Sequence, residues 1–292
     1  MKIAIIGVGL IGGSFALALR RGRSDVHVIG IDRDAEALDI ARRLGVIDGA
    51  ASPGTPVGCD VILLAVPVRQ MPLVLAQIAS TLKPETVITD VGSTKQDVIA
   101  AARIALGEKI SQFVPGHPIA GREQGGVASA DHELFEGKNV VLTPIAENTA
   151  QAIERVSALW HSCGARVVEM PAEAHDAVFA AVSHLPHLLA FALVDELAAR
   201  PNAKTLFSFA ASGFRDFTRI AGSSPEMWCD IALNNRDSLL RELTAYEARM
   251  AELRKALVSG NGEAIEAMME RAKQARDRWM AGELDSFRGE ET

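Results

Sequence analysis

"KIAIIGVGLIGGSFALALRRG", residues 2–22, decides the fold of the chain. Its first five residues are a short isoleucine-rich run, the pattern of a strand buried on both faces. Gly7, Gly9 and Gly12 follow in G-x-G-x-x-G spacing, and the rest reads as a helix ending at Gly22. Gly7 permits the tight turn, Gly9 lets a pyrophosphate approach the backbone, and Gly12 allows close packing of helix on strand. The free N–H groups at the helix start then face the phosphates. Asp32 ends a second strand, VHVIGID, 20 residues after Gly12, where an acidic group takes the ribose hydroxyls of a dinucleotide. A carboxylate there repels a 2′-phosphate, so NAD is expected in preference to NADP, although Arg33 beside it pulls the other way. The candidate cofactor-binding residues are Gly7, Gly9, Leu10, Ile11, Gly12, Asp32 and Arg33, joined by Val66, Pro67 and Ser93 at the ends of later strands.

From this unit the first half of the chain continues as alternating strands and helices. DVILLAVP, ETVITDVGS, NVVLTP and ARVVEMP read as strands, with helices over roughly residues 69–82, TKQDVIAAARIAL and 147–162. That alternation predicts right-handed crossovers and a largely parallel sheet. After Pro171 no convincing strand appears. A long apolar helical stretch, residues 172–199, should be kinked or divided by Pro186, and further helices are expected near 203–211, 225–234, 236–258 and 262–281. The expected architecture is a Rossmann-type α/β domain over 1–171 followed by an all-α domain over 172–292. The apolar density of the stretch 172–199 suits burial against a second copy or at the centre of a monomer.

Bulk properties fit this picture. The 292 residues are 48% hydrophobic and 23% charged, with a net charge of −7. An acidic balance gives no general attraction to nucleic acid or to anionic membranes. Cys59, Cys163 and Cys229 lack metal-site spacing and a disulfide framework, and are expected as small buried hydrophobes. The N-terminus has too short an apolar run for a secretory signal, and no window holds about 18 uninterrupted apolar residues, so a cytoplasmic protein is expected.

The chemistry-bearing candidates lie on segments that follow the strands, where ligands of such sheets bind. His117, in GHPIAG, is braced by glycine and proline. It reads either as a polar turn residue or as a base: oxidising an alcohol with NAD releases a hydride and a hydroxyl proton, and a neutral imidazole can take that proton. Ser93 in DVGSTK either forms a capping box with Gln96 or sits beside nicotinamide and substrate. In the helical half, SHLPH supplies Ser183, His184 and His187, with His175 upstream. No acidic residue completes a ligand pattern there, and no metal is expected. Arg215 and Arg219 lie in GFRDFTRIAGSSPEMW, where an arginine either solvates the surface or clamps a carboxylate. Trp228 reads as core. Glu123 is either a solvated loop charge or an attractor for a substrate ammonium.

GVGLIGGS, DVGSTK, GHPIAGREQGG, FEGKNVVLTP, SHLPH and FRDFTRIAGSSPEMW, in this order over nearly the whole chain, resemble the prephenate/arogenate (cyclohexadienyl) dehydrogenase family. The resemblance implies an NAD-dependent oxidative decarboxylation of prephenate or arogenate to 4-hydroxyphenylpyruvate or tyrosine. It implies His117 as the base on the ring hydroxyl, Ser93 as the group that orients that hydroxyl and the nicotinamide, and His187 and Arg219 as substrate-binding residues; Ser183 and Glu123 join them as substrate-binding candidates by position alone. It also implies a homodimer formed through the helical domain. The helical pattern runs almost to residue 292, so no added regulatory domain is expected, and any inhibition by tyrosine should be competitive. Two other readings stand beside it: a β-hydroxyacid dehydrogenase or imine reductase of the same layout, and a non-catalytic NAD-sensing module.

Overall fold

The computed structural model describes residues 1–52, 58–122 and 124–283. Six parallel strands, β1 (Lys2–Ile6), β2 (His27–Ile31), β3 (Gly49–Ala50), β4 (Val61–Leu64), β5 (Val87–Asp90) and β6 (Phe113–Val114), form a sheet in the order β3-β2-β1-β4-β5-β6. The order reverses between β1 and β4, so the crevice beyond their carboxyl ends is where a dinucleotide belongs. Side chains alternate across the sheet. Ile3, Ile5, Val61 and Leu63 join one core with Phe15 of α1 (Leu10–Gly22) and Trp160 of α5 (Ala150–Ser162). Ala4, Ile6, Ile62, Leu64 and Ile88 join the other, against α3 (Met71–Ile78) and α4 (Gln96–Leu106). Burial on both faces is why these strands read as continuous apolar runs. The remaining helix of this half, α2 (Ala35–Arg43), starts where Asp34 accepts from the backbone N–H groups of Glu36 and Ala37, as a capping aspartate should.

NVVLTP and ARVVEMP do form strands, but not in this sheet. β7 (Gly116–Pro118), β8 (Asn139–Leu142) and β9 (Arg166–Glu169) make a second, three-stranded sheet, in which β7 runs antiparallel to β8. Pro115 separates β6 from β7, and its carbonyl accepts from Thr143 N–H at 3.0 Å. His117 therefore sits in a short edge strand, opposite Val141, rather than in a loop. Ladder pairing fixes its backbone more firmly than a glycine–proline turn would.

The long apolar stretch is divided as expected, through a device the sequence did not reveal. α6 (Ala172–Phe179) passes into a π turn (Ala180–His184) and then α7 (Leu185–Ala198), with Pro186 in the first turn of α7. Proline has no N–H, and its ring collides with the carbonyl four residues back in a regular helix; the wider turn relieves both problems. Ala172–Ala198 is long and apolar enough to cross a membrane by length and composition alone; its 18-residue window of mean hydropathy 1.9 is 28% buried in the protein. The helices that follow are α8 (Ala203–Ser208), α9 (Ser212–Thr218), α10 (Pro225–Asn234), α11 (Arg236–Val258) and α12 (Gly262–Met280). Strands give way to helices after β9, at the expected position; by compactness the chain groups into Met1–Leu239 and Leu240–Thr292. Cys59 and Cys163 are buried, and burial pushes the Cys163 thiol up to about 12, whereas Cys229 is exposed, contrary to the expectation for all three.

Candidate active site

The glycine-rich turn is shaped for a ligand. Gly7 has φ +99°, and a Cβ there would lie 2.3 Å from the Ala65 carbonyl oxygen. A Cβ on Gly12 would lie 2.3 Å from the Gly7 carbonyl oxygen. At Gly9, by contrast, a Cβ would meet nothing within 4 Å: this is the open side of the turn. Gly9 caps α1 without a side-chain hydrogen bond, and no acidic residue lies in the first turn, so the N–H groups of Leu10 and Ile11 begin a helix that no side chain among the described residues caps. Asp32 accepts from Val8 N–H at 2.8 Å and from Asp34 N–H at 3.0 Å, one bond per oxygen, which leaves each oxygen a lone pair for a ribose hydroxyl. Arg33 is exposed next to it, Val66 is half-buried and Pro67 exposed. An uncapped helix start, an open glycine and a half-satisfied carboxylate together fit a dinucleotide.

His117 is held from two sides. Its backbone is clamped by a buried ion pair: Lys95 Nζ bonds Asp90 Oδ2 and donates to the Gly116 carbonyl at 2.7 Å, while Gly116 N–H donates to Asp90 Oδ1 at 3.0 Å. Both charged side chains have no exposed surface. Its ring is clamped by α6: His117 Nδ1 lies 2.8 Å from His175 Nε2, and His175 Nδ1 lies 2.8 Å from Asp176 Oδ1. Phe179 packs edge-on against His117 at 5.0 Å. Nε2 of His117 has no hydrogen-bond partner among the described residues. Burial, then repulsion from His175, Lys95 and His184, holds the His117 pKa well below the ordinary histidine value, so the ring is neutral at physiological pH.

Asp176 also overturns the capping box read for Ser93. Its Oδ1 accepts from Lys95 N–H at 2.9 Å, and its Oδ2 accepts from Gln96 N–H at 3.0 Å and from the Gln96 side chain at 3.2 Å. The start of α4 is thus capped by a carboxylate from a helix 80 residues away in sequence, and the half-buried Ser93 makes no cap bond. A local motif loses to an ionised acceptor that satisfies two backbone donors at once.

Further along, His184 is buried, and Asn235 Nδ2 donates both to its Nδ1 at 3.1 Å and to the Asp176 carbonyl at 2.7 Å. His187 is half-buried, donates from Nδ1 to the Ser183 carbonyl at 2.9 Å, and stacks on Trp228 with ring centroids 3.6 Å apart. Trp228 is buried, so it is both core and platform. Burial lowers the His187 pKa, and the Arg219 cation is close enough to lower it further. Ser183 contributes its backbone to this corner. Arg69, just after Pro67, pairs with Glu226 at 3.2 Å and with the buried Asp230 at 3.5 Å, both on α10. The structure thus connects His117, His175, His184, His187 and Arg219 in one run. Glu123 lies outside the described residues. No metal-binding cluster occurs among the described residues. Sequence reading missed Asp90, Lys95, Asp176 and Asn235; a lysine and two aspartates inside apolar surroundings leave no local pattern.

The comparisons agree with this geometry. Residues 15–169 match the family profile described as prephenate dehydrogenase, nucleotide-binding domain, and residues 171–271 the one described as prephenate dehydrogenase, dimerization domain. A prephenate dehydrogenase of Bacillus subtilis (strain 168) is 40% identical over 280 residues, covering 94% of this chain and 75% of that one. A cyclohexadienyl dehydrogenase of Zymomonas mobilis is 38% identical over 278 residues, 94% of each chain. The crystal structure of prephenate dehydrogenase from A. aeolicus in complex with hydroxyphenyl propionate and NAD+ superposes with a TM-score of 0.88 at 36% identity, covering 95% of this chain and 98% of that one. With the two profiles together spanning residues 15–271 and relatives of 38–40% identity over 94% of its length, the chain belongs to the prephenate dehydrogenase family.

Proposed function

We propose that the chain carries out the NAD-dependent oxidative decarboxylation of prephenate to 4-hydroxyphenylpyruvate, or of arogenate to tyrosine, in tyrosine biosynthesis. The observation that carries this reading is His117: neutral, bonded at Nδ1, and unpartnered at Nε2, beside the carboxyl ends of the sheet. Bound NAD supplies the hydride acceptor. The chain does the rest. The α1 start and Gly9 hold the pyrophosphate, and Asp32 holds the ribose, which favours NAD over NADP. His117 takes the ring hydroxyl proton as hydride leaves the same carbon and carbon dioxide leaves the opposite one. Electrons flow into the new aromatic ring, so no carbanion needs stabilising. Ser93 orients the hydroxyl, and His187 and Arg219 hold carboxylate.

NADH formation from prephenate, and separately from arogenate, tests the reading and ranks the two substrates; no NADH from either would refute it. His117→Asn should lower kcat by about 100-fold or more, the range of lost general-base catalysis, with NAD affinity unchanged. Arg219→Ala should act mainly on the KM for substrate. An unchanged KM would remove the clamp.

Dimerisation is supported by the match to a dimerization-domain profile and by exposed apolar residues on the divided helix, Val178 and Val182 among them. Sedimentation should report twice the 31.1 kDa chain mass. A cytoplasmic location follows from the role in amino-acid synthesis and is checked by recovery without detergent.

A further inference from the structure

The hydrogen-bond run behind His117 has a direction. Asp176 receives only donors: two backbone N–H groups, the Gln96 amide and the His175 ring. Burial alone would raise its pKa, but these bonds outweigh it and hold Asp176 below the usual carboxylate range, so it is ionised. An ionised carboxylate can only accept. His175 Nδ1 must therefore carry the hydrogen. Burial, opposed by Asp176, leaves the His175 pKa below its ordinary value, so this ring is neutral and its Nε2 is a bare lone pair. That lone pair lies 2.8 Å from His117 Nδ1, which must then be the donor. The hydrogen of His117 is committed to Nδ1, and Nε2 is left as the basic atom.

We propose that His175 and Asp176 are positioning residues that set the tautomer of the base: Asp176 orients His175, His175 orients His117, and the Nε2 lone pair is presented to the substrate hydroxyl. This rests on the reading of His117 as base. When the hydroxyl O–H bond breaks and an N–H bond forms at His117 Nε2, the new cation on His117 is separated from the Asp176 carboxylate by one imidazole. Asp176 thus stabilises that cation through the His175 ring that accepts from it, while Asp90 and Lys95 neutralise each other on the other side. The same carboxylate caps α4, the helix that follows Ser93, so one side chain sets both the base and the start of the neighbouring catalytic segment.

The test uses the full chain, free of cofactor, with 15N-labelled histidine. Long-range 1H–15N correlation spectra report which ring nitrogen carries hydrogen, and the His117 signals are identified by their loss in His117→Asn. In the wild type at neutral pH, His117 should be the Nδ1–H form. His175→Phe keeps an aromatic ring against Phe179 and leaves the Asp176 caps in place; it should move His117 to the Nε2–H form or a mixture. It should also lower kcat by about 100-fold, with NAD affinity and substrate KM nearly constant. His175→Gln, whose carbonyl can accept from His117 while its amide donates to Asp176, should restore the Nδ1–H form and much of kcat. An Nε2–H wild type, or a His175→Phe variant with unchanged tautomer and kcat, would overturn the proposal. A fully active His117→Asn would instead refute the base itself, leaving the tautomer result intact, so the two failures read differently.

Discussion

Single residues carry the sharpest consequences where backbone approaches backbone. Gly9 and Gly12 look equivalent in the sequence motif, but only Gly12 is tightly enclosed: its Cβ would meet the Gly7 carbonyl at 2.3 Å, and that of Gly9 would meet nothing within 4 Å. Gly12→Ala should therefore lower the melting temperature, whereas Gly9→Ala should melt like the wild type and bind NAD at least about tenfold more weakly, the ratio that 1.4 kcal/mol buys. Calorimetry paired with NAD titration separates the two. An equal loss of stability in both variants would mean that the turn is structural only. The glycine roles were legible because the motif has a mechanical reason at each position. His117 was legible as a candidate base but not its backing, since His175 and Asp176 lie 58 and 59 residues further along (175 − 117 and 176 − 117). What brings them together is the packing of α6 against the second sheet and α4.

Among elements, β7 and α4 show how a site is pinned. The Asp90–Lys95 pair ties the end of β5 to the start of β7 through Gly116 and has no exposure to water. Removing one partner strands a buried charge, so Lys95→Met should destabilise the protein by about 3–5 kcal/mol. Denaturant unfolding should show the loss as a lower midpoint, and a double variant, Asp90→Asn with Lys95→Met, should recover part of it. Full stability in the single variant would show that the pair is not coupled to the fold. The strands, helices and most of their limits followed from apolar periodicity and punctuation. The second sheet did not, because period-2 patterns identify a strand without naming its partner. Ser93 and Gln96 fit a local capping box, yet the cap comes from Asp176, and no local rule can anticipate an acceptor from another helix.

For the whole molecule, the buried histidines make stability depend on pH. Burial pushes His184 down to about 4, with help from the neighbouring His175 and His187 and opposition from Asp176. His117, His175 and His187 shift the same way. In the unfolded chain a histidine titrates near 6.5. As pH falls from about 6.5 to about 4 the unfolded chain binds more protons than the folded one, so stability present above the upper value is lost on acidification. His184 alone, nearly fully buried, contributes about 3 kcal/mol to that slope. His184→Asn should flatten the dependence of the unfolding midpoint on pH in this window; an unaltered slope would place its origin elsewhere. The two-part architecture was readable from the loss of strands after Pro171, whereas the compact division at Leu239 falls within one continuous helix and leaves no compositional mark. The π turn has a consequence of its own. An ordinary helix rotates about 100° per residue, so nine steps from His175 to His184 would set them on opposite sides of the rod. The slower winding through Ala180–His184 rephases the two halves, and excising a single alanine there would unpick the histidine run without touching any histidine.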